Sequence, residues 1–124
     1  KRNLKMVRKK FIAIHTYHNE DSKKAMWEGA ATYDESDNEW AKNYTFKKCR
    51  CLNNWIGSDD FFFCEWEAED GQAILDALEE AGDAEFIFTA VYQIDLHLDI
   101  DNLTGKKKIW SALAYLDTSS GATP

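Results

Sequence analysis

Histidine is scarce in this chain, and its three copies, His15, His18 and His97, are the side chains best suited to carry a proton or hold a metal near neutral pH. His15 and His18 flank Tyr17 at the end of the β-prone run FIAIHTY. A strand end beside a helix start is a frequent ligand position. A carboxylate near His15 would orient it as a general base, and the strand pattern nominates Glu65 for that role. In such a site His18 is the alternate proton carrier and Tyr17 the hydrogen-bond donor. His97 stands between Asp95 and Asp99, and imidazole with carboxylates suits nickel or zinc. His15, His18 and His97 are therefore the candidate metal set. The plainer roles are a surface turn for His18, a hydrogen-bonded interface position for His15 and a solvated acidic edge around His97.

Cysteine chemistry is weaker. Cys49-Arg50-Cys51 has two thiols at i,i+2 with no second pair, which is a poor thiolate metal site. Its expected neighbours, Cys64, Trp55 and Trp66, are apolar, so buried thiols are the simpler reading. Three cysteines without an export signal point to reduced thiols and a cytoplasmic protein. Aromatic residues are in excess: Trp27, Tyr33, Trp40, Tyr44, Trp55 and Trp66 are more rings than so small a core needs. They nominate a pocket for a small apolar or aromatic molecule. The chain carries no glycine-rich phosphate loop, dinucleotide fingerprint or Ser-His-Asp motif. No cofactor is expected on that ground, with nickel or zinc as the alternative.

The elements that must position these residues follow from periodicity. Phe11–Tyr17 is the first strand. Asn19-Glu20-Asp21-Ser22 opens a helix whose stripe would be Met26, Ala30 and Tyr33. Trp40, Ala41 and Tyr44 mark a further helical turn. Lys47–Asp70 reads as two strands around Gly57–Asp60, with Gly57 facing Asp60 and Ile56 facing Phe61. That register sets Cys51 against Trp66, Asn53 against Cys64 and Arg50 against Glu67, the last as a cross-strand ion pair. It places Cys49, Cys51, Asn53, Trp55, Phe62, Cys64 and Trp66 on one face. Asp70 caps a helix Gly71–Ala81 that ends at Gly82, with Ile74, Leu75, Leu78 and Ala81 inward. A long final strand runs from about Glu85 to Ile100, its even positions apolar. Ile109, Ala112, Leu113 and Leu116 form one face of a C-terminal helix.

The order strand-helix-strand-strand-helix-strand predicts an α+β, ferredoxin-like βαββαβ fold: a four-stranded antiparallel sheet, order 4-1-3-2, with two helices on one face. The expected organisation is a basic leader over 1–10, the domain over 11–100 and an extension with a short helix over 101–124. Met6 is a candidate natural start. The other sheet face would carry Ala13, His15, Tyr17, Phe61, Phe63, Glu65, Val91 and Gln93. Leaving its phenylalanines in water forgoes roughly 1.5–3 kcal/mol per large side chain, so a homodimer is expected.

A net charge of −7 argues against a nucleic-acid partner. No apolar run reaches the length of a membrane span. At 124 residues the chain holds one domain.

The run WIGSDDFFFCEWEAED followed by AILDALEEAG resembles the dimeric α/β-barrel group of ferredoxin-like proteins, in a branch of small bacterial domains of unknown function. The resemblance covers about residues 11–98. It implies a homodimer and admits cofactor-free monooxygenases, isomerases and haem enzymes among its wider relatives, with a nickel-binding protein in the smaller branch. The leading expectation is a homodimer binding a small molecule at Trp27, Tyr33, Trp40, Trp55 and Trp66, with a cofactor-free monooxygenase or isomerase reaction as its catalytic form. The alternatives are a nickel- or other divalent-metal-binding protein and an interaction module without catalysis.

Overall fold

A computed structural model describes residues 7–108. The chain divides into two units, residues 1–93 and 94–124, treated separately below.

In the first unit the strands β1 (Lys9–Tyr17), β2 (Cys49–Trp55), β3 (Phe61–Ala68) and β4 (Ile87–Ile94) form one sheet in the order β2-β3-β1-β4. β3 runs antiparallel to both β1 and β2. Between them lie α1 (Glu20–Thr32), α2 (Asp37–Asn43) and α3 (Gly71–Ala81), followed by a 3₁₀ turn at Asp83–Glu85. This is an α+β architecture compatible with a ferredoxin-like fold, with the strand order anticipated from the pattern.

Each helix starts where a side chain can satisfy its first amides. Asn19 accepts from Ser22 N at 2.7 Å, and Asp70 accepts from Ala73 N at 2.9 Å. Ser36 and Glu39 form a reciprocal capping box on α2. α3 ends at Gly82, whose φ of +90° favours a residue without a Cβ. Ala73, Ile74, Ala77 and Leu78 of α3 are buried, whereas Leu75 is half-buried and Ala81 exposed. By contrast α1 buries no residue at all, so the expected Met26, Ala30 and Tyr33 stripe is not a core stripe. Met26 is half-buried against the core, and Ala30 and Tyr33 are exposed.

The predicted hairpin register holds for Arg50 opposite Glu67 and Cys51 opposite Trp66. Arg50 Nε donates to Glu67 Oε2 at 3.0 Å. A bulge between Cys51 and Asn53 then slides the pairing by one residue, so Asn53 faces Glu65, Asn54 faces Cys64 and Trp55 faces Phe63. A one-residue slip exchanges sheet faces. Asn53 and Trp55 therefore leave the helix-covered face to which the sequence assigned them, and Asn54 replaces them there.

β1 also sits with the opposite parity to the one expected. Phe11 pairs with Trp66, Ala13 with Cys64 and His15 with Phe62, and directly opposed residues share a face. Ala13, His15 and Tyr17 are thus buried under the helices, and Ile12, Ile14 and Thr16 point the other way. β4 follows suit. Ile87 is buried, Thr89 reaches His15, and Val91 lies where a Cβ on Gly71 would touch it, so Phe88, Ala90 and Tyr92 are on the open side. The open face is consequently Ile12, Ile14, Trp55, Phe61, Phe63, Phe88 and Tyr92, with a charged end where Glu67 meets Arg8 and Arg50 and Glu65 meets Lys10. Phe88 is 66% exposed, Tyr92 56% and Trp55 48%.

In the second unit β4 gives way after Ile94, short of the expected Ile100, and 95–108 carries no regular strand or helix. A turn explains part of the ending: Asp99 accepts from Asp101 N at 2.9 Å and from Asn102 Nδ2 at 2.7 Å. The expected helix beyond residue 108 and the first part of the basic leader lie outside the described residues.

Candidate functional site

Because α1 stands off the sheet, a cavity of about 570 Å³ opens between the helices and the covered face. Its apolar walls are Phe62, Trp66, Leu78, Phe86 and Ile87, closed on the α1–α2 side by Met26, Tyr33, Trp40 and Tyr44. Trp40 and Tyr44 stack at a tilt with centroids 5.8 Å apart, one turn apart along α2 and its cap. The cavity lies wholly within the first unit.

At its floor runs a chain of hydrogen bonds. His15, 1% exposed, has Nδ1 at 2.8 Å from Thr89 Oγ1 and Nε2 at 3.1 Å from Cys64 Sγ. The Cys64 thiol in turn donates to Asn54 Oδ1 at 3.1 Å. A neutral ring with its proton on Nε2 satisfies every member: Thr89 donates to Nδ1, and Nε2–H donates to the sulfur. Burial lowers the His15 pKa to about 4, so the imidazole is neutral at pH 7. The Cys64 thiol is pushed well above its ordinary value, first by a hydrogen bond with Cys51 and then by burial. Burial likewise raises Cys49, to about 11. Both are protonated, buried thiols, Cys64 in the cavity wall and Cys49 outside it.

A second polar pair lines the cavity. Tyr44 Oη donates to Asp83 Oδ2 at 2.6 Å. Burial raises the Tyr44 pKa, with the Asp83 bond adding to it, and burial raises Asp83 as well, opposed by the Tyr44 bond. Glu35 completes the polar lining and is held by Asn43 Nδ2 at 2.6 Å. Trp66, 1% exposed, has an indole Nε1–H that meets no well-aligned hydrogen-bond partner among the described residues but is close enough to Cys64 to oppose the rise in its pKa.

The fold sorts the sequence candidates sharply. His15 lines the cavity, but Glu65 faces Ile12 on the opposite side of the sheet, so the expected base–carboxylate pair is split. Tyr17 is buried and its hydroxyl accepts from Trp27 Nε1–H at 2.9 Å. His18 is exposed and donates through Nε2 to Ala84 O at 3.0 Å, tying the end of β1 to the 3₁₀ turn. His97 is exposed in the second unit. Among the described residues no group of three or more His, Cys, Asp and Glu side chains is arranged to hold a metal. Tyr33, Trp40 and Trp66 line the cavity as expected; Trp27 and Trp55 do not. Sequence reasoning missed Asn54, Asp83 and Glu35. The only visible cue for Asp83 was its place after the Gly82 cap, and the Asn54 position depends on a bulge that no glycine or proline marks.

No family, no curated protein and no solved structure matches this chain. Among the described residues, no helix is long and apolar enough to cross a membrane.

Proposed function

We propose that this chain is a homodimeric binding protein for a small, largely apolar molecule, held in the cavity between helices and sheet. The observation that supports it most is the 570 Å³ cavity itself, walled by Phe62, Trp66, Leu78, Phe86 and Ile87 with a few polar groups at its edge. Ligand pockets fall in the range of roughly 300–1,000 Å³ and combine apolar walls with a few placed polar groups. Both nitrogens of His15 are engaged and its pKa is depressed, which favours binding over the proton chemistry of cofactor-free monooxygenases or isomerases.

The second copy belongs on the open sheet face, in the manner of the dimeric α/β barrels that the sequence resembles. Trp55, Phe61, Phe63, Phe88 and Tyr92 are exposed there together, and each large ring buried would contribute roughly 1.5–3 kcal/mol. Native mass spectrometry tests both parts at once. The expected species has twice the 14.3 kDa chain mass plus an organic molecule released on denaturation, and Phe63→Glu halves it to a liganded monomer. A bare single chain contradicts the proposal.

A further inference from the structure

The charge pattern of the cavity identifies the class of molecule, on the basis of the binding reading above. Of the described side chains lining it, only Glu35 and Asp83 carry formal charge; no described lysine or arginine is in the wall, and His15 is neutral. We infer that the cavity takes an organic cation, an ammonium group on an apolar body, with the ammonium lodged between Asp83, Glu35 and the rings of Tyr33, Trp40 and Tyr44.

Three features converge on this. An anionic ligand would meet two carboxyl groups and no counter-charge, an arrangement that costs free energy in a partly desolvated site. Asp83 Oδ2 accepts from Tyr44, a neutral donor, and no cation pairs with Asp83 among the described residues. Burial without a cation raises the Asp83 pKa, whereas a neighbouring ammonium would stabilise the ionised form. Trp40 and Tyr44 both line the cavity with ring centroids 5.8 Å apart, and aromatic rings attract ammonium groups within about 6 Å of their centroids. The adjoining smaller hollow extends the same polarity: Asp34, Glu35 and Glu39 line it against the single cation Lys42. Elsewhere in the lining, Phe62 and Leu78 would receive the apolar body.

The test is calorimetric titration of the intact protein with three probes of near-equal shape: 2-phenylethylamine, 2-phenylethanol and 3-phenylpropionate. The ammonium is expected to bind at least tenfold tighter than either of the others, and methylammonium, with the same charge and no apolar body, is expected not to compete. Asp83→Asn keeps an acceptor for Tyr44; it should bring 2-phenylethylamine down to the affinity of 2-phenylethanol and leave the alcohol unchanged. Glu35→Gln should lower the amine preference in the same direction. Equal or tighter binding of the alcohol or the acid overturns the cation assignment while sparing the cavity. Failure of all three probes to bind at millimolar concentration overturns the cavity reading as well.

Discussion

His15 shows how burial decides what a chemically versatile side chain can do. Its pKa falls from 6.5 to about 4 because burial penalises the imidazolium, so the unfolded chain takes up the proton more readily than the folded one. The sign follows from linkage: the stability that depends on a neutral His15 is complete above pH 6.5 and is lost as pH falls toward 4. In the limit this amounts to on the order of 3 kcal/mol. Urea midpoints measured between pH 7 and pH 4.5 should therefore fall for the native chain, and less steeply for His15→Gln. Equal slopes in the two proteins would remove the buried neutral imidazole from the account. His15 was recognisable in the sequence as the residue to watch, but its surroundings were not. In FIAIHTY both parities are apolar, Phe11 and Ala13 on one and Ile12 and Ile14 on the other, so alternation alone gives no face. The pairing of Phe11 with Trp66 settles the matter, and Glu65 is thereby carried to the far side.

At the scale of elements, legibility tracks how strongly a local rule constrains the backbone. α3 was readable from end to end because Asp70 caps it, Ile74 and Leu78 repeat at helical spacing and Gly82 stops it in the left-handed region. The β2 bulge was not readable, since Leu52 adds one residue without any punctuating glycine or proline. Its effect reaches the site: it turns Trp55 outward and brings Asn54 to Cys64. β4 misled for a different reason. Its period of two is clean, but both faces of the sheet accept apolar rings, so the pattern does not say which is covered. Two glycine substitutions check the helix ends with opposite signs. Gly82→Ala places a Cβ at φ +90° with open space around it, and should destabilise by about 1 kcal/mol through backbone strain alone. Gly29→Ala lies within α1, also with open space around its Cβ, and should stabilise by about 0.5–1 kcal/mol. Denaturant midpoints that moved the same way in both variants would contradict these helix boundaries.

Over the first unit, the two faces of the sheet differ in character. The open face gathers exposed rings with a charged end, and it is the face that the proposed dimer would use. The covered face keeps a cavity because α1, capped and acidic at its start, buries nothing that would draw it down onto the strands. The general architecture was legible from element order, because connection rules leave few topologies for this sequence of elements. The cavity was only half legible: the surplus of aromatic rings pointed to it, and four of the six line it, while its polar groups depend on register. The most direct measurement is the shift of tryptophan indole N–H resonances in nitrogen-15-labelled protein titrated with 2-phenylethylamine. The Trp40 and Trp66 resonances should move and saturate together, and that of Trp55, on the opposite face, should stay in place. Titration that leaves Trp66 untouched, or that moves Trp55 instead, would contradict a ligand site between helices and sheet.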